Sequence, residues 1–490
     1  MSTVKSIKKS RQLFIDDQMI ERLENVALTM NPPQKKGPVI MQDRPWRSKL
    51  TGYFGSVLED GGTYKMWANC GEGDVGNIAR NGISYGKNRY VQYLESKDGL
   101  HWESPSLGVI EFKGSRNNNL VLSEDCLEGS VFIDPNAPAA EKFKYFHYRY
   151  GIGLVMFTSA DGIHWQDHGE CLLRHTFDSQ NVAFWDSRLR KYVCYLRGWE
   201  SAKKNELTND VPSYPVNRNV VRIEVDDFQE LGRFQGEIPV DKPTAFFLDR
   251  LPAVLRCDEK DPVDTDIYTN AVVKYPLADD VYLAFPALYS KFKPAAENRN
   301  DGILGVQMAV SRDGIAWNRI RKPYLPTGAV GEIDSASAYM HTGMIIRETE
   351  IYQYYWGASY THGGRDTYSK WQGVNMNAVF AVSQRIDGFV SADAEYEGGE
   401  LLTKLFTFEG NRLIVNIDTT AIGQAVIALV DHEGREIEGF ASEDCDRIKG
   451  NFIRKAVSWN GNEDVSRFQG QAVRLRFDMR GTKLFSFYFE

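Results

Sequence analysis

The stretch Ser96-Lys97-Asp98-Gly99-Leu100-His101-Trp102 recurs along the chain and decides the predicted fold. Two further full copies and two degenerate copies follow it, at residues 159–165 (SADGIHW), 311–317 (SRDGIAW), 224–228 (EVDDF) and 383–389 (SQRIDGF). In a full copy, Asp-Gly forms a tight turn after a strand, with Gly supplying the positive φ, and Trp returns to the core on the next strand. The sequence therefore predicts a repeated hairpin.

An aromatic run of strand character precedes each of these turns. The five runs are residues 64–67 (YKMW), 143–146 (FKYF), 192–195 (YVCY), 281–285 (VYLAF) and 351–356 (IYQYYW). A shorter strand lies upstream of each run, so each unit contains about four strands, which is the content of one propeller blade. Five units predict a five-bladed β-propeller, and the alternative is a pair of β-sandwiches in which these turns recur by coincidence.

The repeat stops at about residue 397, and a different pattern follows. Alternating strands are predicted at residues 413–417, 425–430, 472–477 and 484–489, with turn signals such as residues 431–434 (DHEG). This alternation is typical of an antiparallel sandwich. We therefore expect an all-β chain with a five-bladed β-propeller at residues 1–396 and a C-terminal β-sandwich at residues 397–490.

The segment Leu13-Phe14-Ile15-Asp16-Asp17 with Met19-Ile20 predicts a strand, a turn and a second strand near the start of the chain. Propellers are commonly closed by an N-terminal strand that completes the last blade, so we expect this segment to be the clasp. Asp16 and Asp17 are interpreted as turn residues, because Asp at such a position bonds to its own backbone.

Composition limits the possible partners. The 490 residues carry a net charge of −8 and show no basic stripe, which argues against a nucleic-acid partner. No run of about 18 apolar residues occurs, so no membrane span is expected. Residues 1–10 lack the apolar segment of a secretory signal, and the six cysteines form no CxxC pair, so we expect a cytoplasmic protein with free thiols. The sequence leaves the oligomeric state open.

Acidic residues stand where the innermost strand of a unit begins. Glu128 precedes Val131-Phe132, and Asp178 precedes residues 182–185 (VAFW). Asp266 holds a similar position in the fourth unit, and Asp334 with nearby Glu332 in the fifth. Because innermost strands converge around a central channel, these carboxylates are predicted to face one pocket.

These features resemble the five-bladed propeller glycoside hydrolase superfamily, which contains families 32, 43, 62, 68, 117 and 130. The Leu13 to Asp17 start is similar to that of bacterial proteins described as family 32-like or family 43-like. The resemblance implies one acid from each of the first three inner strands. Glu128 matches the second-blade position, Asp178 is displaced by one residue from the third, and the first-blade position near Phe54-Gly55 has no acid.

Cleavage of a glycosidic bond needs one carboxylic acid to protonate the leaving oxygen and one carboxylate opposite to it. Burial raises one of the two pKa values, so that an acid and a carboxylate coexist near neutral pH. Glu128 and Asp178 are the predicted catalytic pair. Asp266 and Asp334 are predicted to support them, with Glu332 as a substitute acid.

Other polar and aromatic side chains near the strand entries are candidates for contacts with a sugar. They are Arg44, Trp46, Gln180, Asn181, Asn270, His341, His362 and Arg365, with Trp199 and Tyr268 as further stacking surfaces. The eight histidines lack HxH or HExxH spacing, so neither a transition-metal site nor a cofactor is predicted. The acids could hold a structural Ca²⁺ in the channel, although no loop has EF-hand spacing.

Three functions remain open at this level. The first is a glycoside hydrolase acting on the end of a small oligosaccharide or glycoside, and the second is a noncatalytic carbohydrate-binding propeller. The third is a phosphate-dependent glycoside phosphorylase, for which Arg149, Arg197 and Arg365 are the candidate basic residues.

Overall fold

The computed structural model describes residues 4–72, 89–123, 128–175, 177–200, 217–235, 251–262, 264–291, 301–362 and 376–490. The chain is nearly all-β, with 54% of residues in strands and 4% in helices, which confirms the predicted class. The four helices in the described ranges are short 3₁₀ turns, namely Pro45–Arg47, Ala139–Glu141, Phe228–Phe234 and Ser466–Phe468. None of these helices is long and apolar enough to cross a membrane.

Three antiparallel four-stranded sheets follow one another along the chain, and we call them units 1, 2 and 3. Unit 1 contains Leu50–Asp60, Thr63–Gly71, Arg89–Ser96 and Leu120–Ser123. Unit 2 contains Glu128–Ile133, Phe143–Arg149, Gly153–Ser159 and Gln166–Asp167. Unit 3 contains Val182–Asp186, Lys191–Glu200, Asn217–Val225 and Ala253–Leu255.

An eleven-stranded sheet contains the next two units, which a single parallel pairing of Leu304 with Ser337 joins. Unit 4 contains Thr265–Ile267, Val273–Lys274, Tyr282–Ala284, Ala287–Lys291, Gly302–Ser311 and Asn318–Leu325. Unit 5 contains Ser337–Met340, Ile345–Ile346, Glu350–Ala358, Asn377–Arg385 and, from the start of the chain, Gln34–Ile40.

An eight-stranded sheet, which we call the terminal sheet, combines both ends of the chain. Its strands are Gln12–Leu13, Ile20–Glu24, Val26–Met30, Val390–Ala394, Gly399–Thr403, Leu413–Val430, Asn451–Ala456 and Arg474–Phe489. Lys5–Lys8 pairs separately, in parallel, with Phe406–Phe408. The aromatic rings of Phe14, Phe477 and Phe487 pack together beneath the sheet, so residues from both termini share one core.

The position of the N-terminal clasp differs from the prediction. Gln12 pairs with Phe487, and Leu23 pairs with Leu401, so residues 12–24 belong to the terminal sheet. The strand that extends unit 5 is Gln34–Ile40, in which Ile40 pairs with Val379. The prediction of residues 13–20 as the clasp is therefore wrong, and an N-terminal strand that lies further along the chain takes this place.

Asp16 connects the N-terminal segment to the repeated hairpins. Its two carboxylate oxygens accept hydrogen bonds from Nε and Nη2 of Arg312, both at 2.9 Å, and Arg312 belongs to the third full copy of the turn. Oδ1 of Asp16 also accepts a hydrogen bond from the backbone N–H of Gln18 at 3.1 Å. These contacts agree with the structural interpretation of Asp16.

The repeated turn has the local chemistry that the sequence predicts. In the second copy, the Ser159 hydroxyl oxygen accepts a hydrogen bond from the N–H of Gly162 at 2.9 Å. Oδ1 of Asp161 accepts from the N–H groups of Ile163 and His164 at 2.8 and 2.9 Å, which closes the turn. Gly162 has φ +79°, a conformation that side chains other than Gly adopt at a cost. Ser, Asp and Gly are thus all required by the turn itself.

Each turn also contacts the unit before it. In the three full copies, the carbonyl oxygen of the turn glycine accepts a hydrogen bond from an aromatic side chain of the preceding unit. Trp67 donates to Gly162 (2.6 Å), Tyr195 to Gly314 (2.9 Å) and Tyr354 to Gly99 (2.6 Å). In the degenerate copies, Phe228 packs on Phe146 of unit 2 and Phe389 on Tyr275 of unit 4, with centroids 5.6 and 5.7 Å apart. The contact between units 5 and 1 completes a cycle.

Replacing Gly162 with alanine is expected to destabilise the fold by about 2–3 kcal/mol, because the new side chain meets both a strained φ and a neighbouring unit. A Cβ at this position would lie 2.4 Å from Cζ2 of Trp67. Gly169 is the matched control, since it has φ +67° but no atom within 4 Å of its Cβ position. Its alanine variant should lose only about 1 kcal/mol in urea denaturation. Equal losses would show that packing between units contributes nothing here.

Candidate active site

Glu128 is the first residue of the innermost strand of unit 2 and is buried. One carboxylate oxygen lies 3.8 Å from Nη1 of Arg89, which begins a strand of unit 1. The backbone carbonyl of Glu128 accepts a hydrogen bond at 3.1 Å from the side-chain amide of Asn181, three residues after Asp178. This bond places the entries of units 2 and 3 side by side, at the same end of their strands.

Asp178 precedes the innermost strand of unit 3 and keeps 31% of its side chain exposed. Its Oδ1 accepts a hydrogen bond from Nη1 of Arg197 at 2.9 Å. Burial raises the pKa of the Asp178 carboxyl above its usual value, and the nearby carboxylate of Asp266 acts in the same direction, whereas Arg197 and Arg218 oppose the rise. Asp178 therefore holds its proton to a higher pH than an ordinary aspartate.

Asp266 lies at the entry of unit 4 and has no exposed surface. Its Oδ2 accepts hydrogen bonds from both the backbone N–H and Nη1 of Arg218, each at 3.2 Å. Nζ of Lys291 lies 3.0 Å from the same oxygen. One buried carboxylate thus holds two cationic side chains, which limits its own access to a substrate.

Aromatic rings surround these arginines. The Arg197 guanidinium lies 4.6 Å from the ring centroid of Tyr268 and 5.0 Å from that of Trp199. Arg218 lies 5.1 Å from Tyr268 and 5.2 Å from Trp199. Such cation–π contacts stabilise the guanidinium groups. They also place the aromatic rings next to the two arginines. Trp199 and Tyr268, which the sequence marked as stacking surfaces, therefore lie beside the candidate acids.

The aromatic wall continues into units 1 and 5. Tyr53 and Tyr339 pack at 5.3 Å, and Tyr268 and Tyr339 at 5.6 Å between centroids. The Tyr268 hydroxyl lies 2.9 Å from Nε2 of His362, which the sequence named as a sugar contact. Burial raises the pKa of Tyr53 well above its ordinary value, with the carboxylate of Glu128 among the groups that add to the rise. The side chains of all five units therefore share one site.

We call the charged side chains of this site the acid–arginine cluster. It contains three carboxylates and four cations, namely Glu128, Asp178, Asp266, Arg89, Arg197, Arg218 and Lys291. The sequence identified the three acids, and it named Arg197 only as a candidate phosphate contact. It missed Arg89, Arg218 and Lys291, whose signal is a charged residue at or next to the end of a strand.

A histidine fills the space beside Gly55, where the resemblance implies an acid and the sequence has none. Nδ1 of His341 lies 2.3 Å from the position that a Cβ on Gly55 would occupy, so any side chain at residue 55 would collide with the imidazole. Nε2 of His341 donates a hydrogen bond to the carbonyl of Gly52 at 2.8 Å. Burial lowers the pKa of His341 to about 4, so the ring is neutral at pH 7. His341 packs against the Gly52 to Gly55 backbone, and its predicted contact with a sugar stays a prediction.

The two acids of the fifth unit have partners of their own. Oδ2 of Asp334 accepts hydrogen bonds from Nζ of Lys35 at 2.6 Å and from the Tyr355 hydroxyl at 2.8 Å. The carboxylate of Glu332 is exposed and accepts a hydrogen bond from the backbone N–H of Ala329 at 2.8 Å. Within the described ranges, these contacts do not join either residue to the acid–arginine cluster. Their predicted catalytic support stays a prediction.

The three predicted amide contacts brace the backbone between units. Gln180 donates to the Met340 carbonyl at 2.8 Å and accepts from the N–H of Ala271 at 3.0 Å. Asn270 donates to the Gln180 carbonyl at 3.1 Å, and Asn181 donates to the Glu128 carbonyl. All three side chains are buried. Buried amides that bond to backbone groups position the strand entries, and the predicted contact of these three residues with a sugar stays a prediction.

The remaining predicted contacts lie elsewhere. Trp46 is buried against the ring of Phe112 at 5.8 Å, and half of the Arg44 side chain is exposed beside Asp43. The predicted contacts of Arg44 and Trp46 with a sugar stay predictions, and Arg365 falls outside the described residues. In the part of the chain that the structure describes, no group of three or more His, Cys, Asp or Glu side chains could hold a metal ion.

Comparisons with known proteins give remote similarities. No protein-family model matches the chain. The uncharacterized protein MT1551 of Mycobacterium tuberculosis is 27% identical over 159 residues, which cover 32% of this chain and 46% of that protein. The chain thus spans less than half the length of this curated relative.

Several solved structures of carbohydrate-active enzymes are similar to the chain. A family 43 arabinoxylan arabinofuranohydrolase from Bacillus subtilis is 11% identical, with 89% of this chain and 95% of that chain covered and a TM-score of 0.36. For an exo-inulinase from Aspergillus awamori, the identity is 12%, the coverage 94% and 97%, and the TM-score 0.39. A β-1,2-mannobiose phosphorylase from Listeria innocua gives 12%, 73% and 97%, and 0.42. One of these matches is described as an enzyme of family 43.

Proposed function

We propose that the chain is a glycosidase that removes a terminal sugar from a small oligosaccharide or glycoside. In this proposal, units 1 to 5 are the blades of a five-bladed β-propeller spanning residues 34–385, and the terminal sheet belongs to a β-sandwich built from both ends of the chain. This division revises the boundary expected at residue 396, because Val390–Ala394 pairs with Val26–Met30 in the terminal sheet.

One observation carries the proposal: Asp178, a carboxyl with a raised pKa, lies at a strand entry next to the one that holds a second carboxylate, Glu128. Asp178 would act as the general acid and donate its proton to the leaving glycosidic oxygen. Glu128 would act on the other side of the sugar, as a nucleophile or as the base that activates water. Tyr268 and Trp199 offer apolar faces for the sugar ring.

The three carboxylates are assigned different roles. Asp266 is buried and bonded to Arg218 and Lys291, so we assign it the positioning of these cations. The site therefore works with two reacting acids, and the neutral His341 ring against Gly55 takes the space of a third.

The proposal is tested by screening aryl glycosides and short oligosaccharides with the purified chain, with and without inorganic phosphate. Release of a reducing sugar in the absence of phosphate is the expected result. Arg197 and Arg218 beside Asp178 favour phosphorolysis as a second candidate, and turnover that requires phosphate would support it. Sugar binding without any turnover would overturn both enzymatic functions in favour of a binding propeller.

A further inference from the structure

A cavity of about 550 Å³ lies where unit 5 meets the terminal sheet, and we call it the junction cavity. Residues of Gln34–Ile40 and Asn377–Arg385 line it from unit 5, and residues of Asn451–Ala456 and Arg474–Phe489 line it from the terminal sheet. Its volume falls within the roughly 300–1,000 Å³ that is typical of sites for small molecules. The junction cavity is therefore large enough to hold a ligand.

The junction cavity is separate from the candidate active site. In the strand Glu350–Ala358, Ala358 pairs with Ser337, where the innermost strand of unit 5 begins. Glu350, at the other end of that strand, lines the junction cavity. Eight residues of extended strand span about 26 Å. The cavity thus lies at the end of unit 5 opposite the strand entries, and both places can be occupied at once.

The charged side chains that line the junction cavity already have partners. The Arg385 guanidinium lies over the ring of Phe485, 4.5 Å from its centroid. It donates four hydrogen bonds, to the side chains of Asn416 and Asn451 and to the carbonyls of Ile417 and Phe452. The carboxylate of Glu350 accepts a hydrogen bond from the Tyr352 hydroxyl at 2.9 Å and lies 3.8 Å from Nζ of Lys36. Ionic attraction is therefore not what selects a ligand for this cavity.

Four neutral polar side chains of the cavity keep hydrogen-bonding groups available. The hydroxyls of Ser383 and Thr349 and the amide of Gln34 form no hydrogen bond with the described residues. The same holds for the amide NH₂ group of Asn451, whose oxygen accepts from Arg385. Gln34 and Ser383 pair directly across their strands, so their side chains share one face of the sheet.

The chemistry of these groups favours a neutral ligand that carries several hydroxyls. Hydroxyl and amide side chains both donate and accept hydrogen bonds, as the hydroxyls of a sugar do, whereas a carboxylate only accepts and an ammonium only donates. Apolar surface lies beside them, because exposed Pro32 and half-buried Ile453 also line the cavity. The C–H face of a sugar ring can pack on such a surface while its hydroxyls meet the polar groups.

We infer that the junction cavity is a noncatalytic binding site for a neutral carbohydrate, whose hydroxyls bond to Gln34, Thr349, Ser383 and Asn451. Glu350 is the one carboxylate among the described residues that line it, so the pair of acids that glycoside cleavage needs is absent there. The inference goes beyond the proposed function and does not depend on it.

The test is titration of the full chain with sugars, followed by saturation-transfer NMR of the ligand. The neutral panel contains methyl β-D-glucoside, methyl β-D-galactoside, methyl α-D-mannoside, cellotriose and maltotriose, and the charged probes are D-glucuronate and D-glucosamine. At least one neutral sugar is expected to bind. Gln34→Ala should weaken its binding about three- to tenfold, the contribution of a neutral hydrogen bond, and adding Thr349→Ala should weaken it further by a similar factor.

Gln166→Ala provides the matched control. Gln166 is also an exposed strand residue, and its side chain forms no hydrogen bond with the described residues, but it belongs to unit 2. Both glutamines pair with the neighbouring strand through their backbone, so alanine keeps that pairing. Circular dichroism of the variants verifies that the fold is retained. Sugar affinity should be unchanged in Gln166→Ala.

The outcomes separate the inference from the proposed function. No binding of any neutral sugar, or binding of the charged probes alone, would overturn the inference. Binding that Gln34→Ala leaves unchanged would place the sugar elsewhere and also overturn it, while the glycosidase proposal stands. Binding that Gln34→Ala weakens and Gln166→Ala does not, without turnover of any glycoside, would support the inference and end the glycosidase proposal.

Discussion

Replacing Asp178 with asparagine is expected to lower kcat/KM for a glycoside with a poor leaving group by about 10²–10⁴-fold, the usual contribution of a general acid. Asparagine keeps the size of the side chain and can still bond to Arg197, which lies 2.9 Å from Oδ1 in the native protein. It cannot deliver a proton to the leaving oxygen. The loss should therefore fall on the chemical step and appear in kcat.

The pH dependence identifies the role of this residue. Burial raises the pKa of Asp178, and a general acid acts only in its protonated form, so the native rate should fall as the pH rises through that pKa. This limb should be absent in Asp178→Asn. Aryl glycosides whose leaving groups need no protonation should recover most of the lost rate, whereas Glu128→Gln should remain inactive on them.

Asp261→Asn is the control for the removal of a carboxylate paired with arginine. Asp261 bonds to Arg319 at 2.7 and 2.9 Å and is nearly buried, away from the acid–arginine cluster. Its turnover and pH profile should match those of the native chain. A rate in Asp178→Asn that is lost equally for good and poor leaving groups would contradict the assignment of Asp178 as the acid.

The parts of the fold that depend on local chemistry could be predicted from the sequence. Asp161 and Gly162 close their turn through contacts within a few residues, so the motif itself carries the information. The entry positions of Glu128 and Asp178 follow from counting along the same repeat. The bond from Asn181 to the Glu128 carbonyl shows that these entries adjoin.

Partners far apart in sequence could not be predicted in the same way. Gln34–Ile40 contains Gly37 and Pro38, which weaken its strand pattern, yet it pairs with Asn377–Arg385. Residues 12–24 have a clearer strand pattern, but their pairing with the terminal sheet depends on how the two ends of the chain dock. Hydrophobic periodicity indicates that a strand exists and leaves its neighbour undetermined.

The site shows the same division. The acids were visible because each begins a unit, but the burial of Asp266 depends on Arg218 and Lys291 from two different strands. A charged residue in a strand ordinarily indicates a solvent-facing position, so the sequence pattern did not indicate that these two cations lie in the site. At Gly55 the sequence showed only that an acid is absent. It did not show why, because the imidazole that excludes a side chain there belongs to His341 of unit 5.

Replacing Asp387 with asparagine is expected to destabilise the protein by about 3–5 kcal/mol, the usual cost of removing one partner of a buried ion pair. Asp387 is completely buried in the last degenerate turn. Oδ2 accepts hydrogen bonds from Nη1 of Arg11 at 2.7 Å and from the Ser486 hydroxyl at 2.6 Å, and Oδ1 accepts from the Tyr275 hydroxyl at 2.8 Å. Asparagine loses the charge and turns one acceptor into a donor.

Asparagine is chosen over alanine because residue 387 has φ +59°, a conformation that Asn tolerates. The measurement is urea denaturation at pH 7, followed by fluorescence. Asp393→Asn is the control, since Asp393 pairs at 2.6 Å with Lys483, whose side chain is 42% exposed, and such surface pairs contribute at most about 1 kcal/mol.

Because Arg11, Tyr275 and Ser486 belong to the N-terminal segment, unit 4 and the terminal sheet, the loss at Asp387 should separate the unfolding of the repeated units from that of the terminal sheet. Equal losses in the two variants would mean that this buried carboxylate does not join the two parts of the chain.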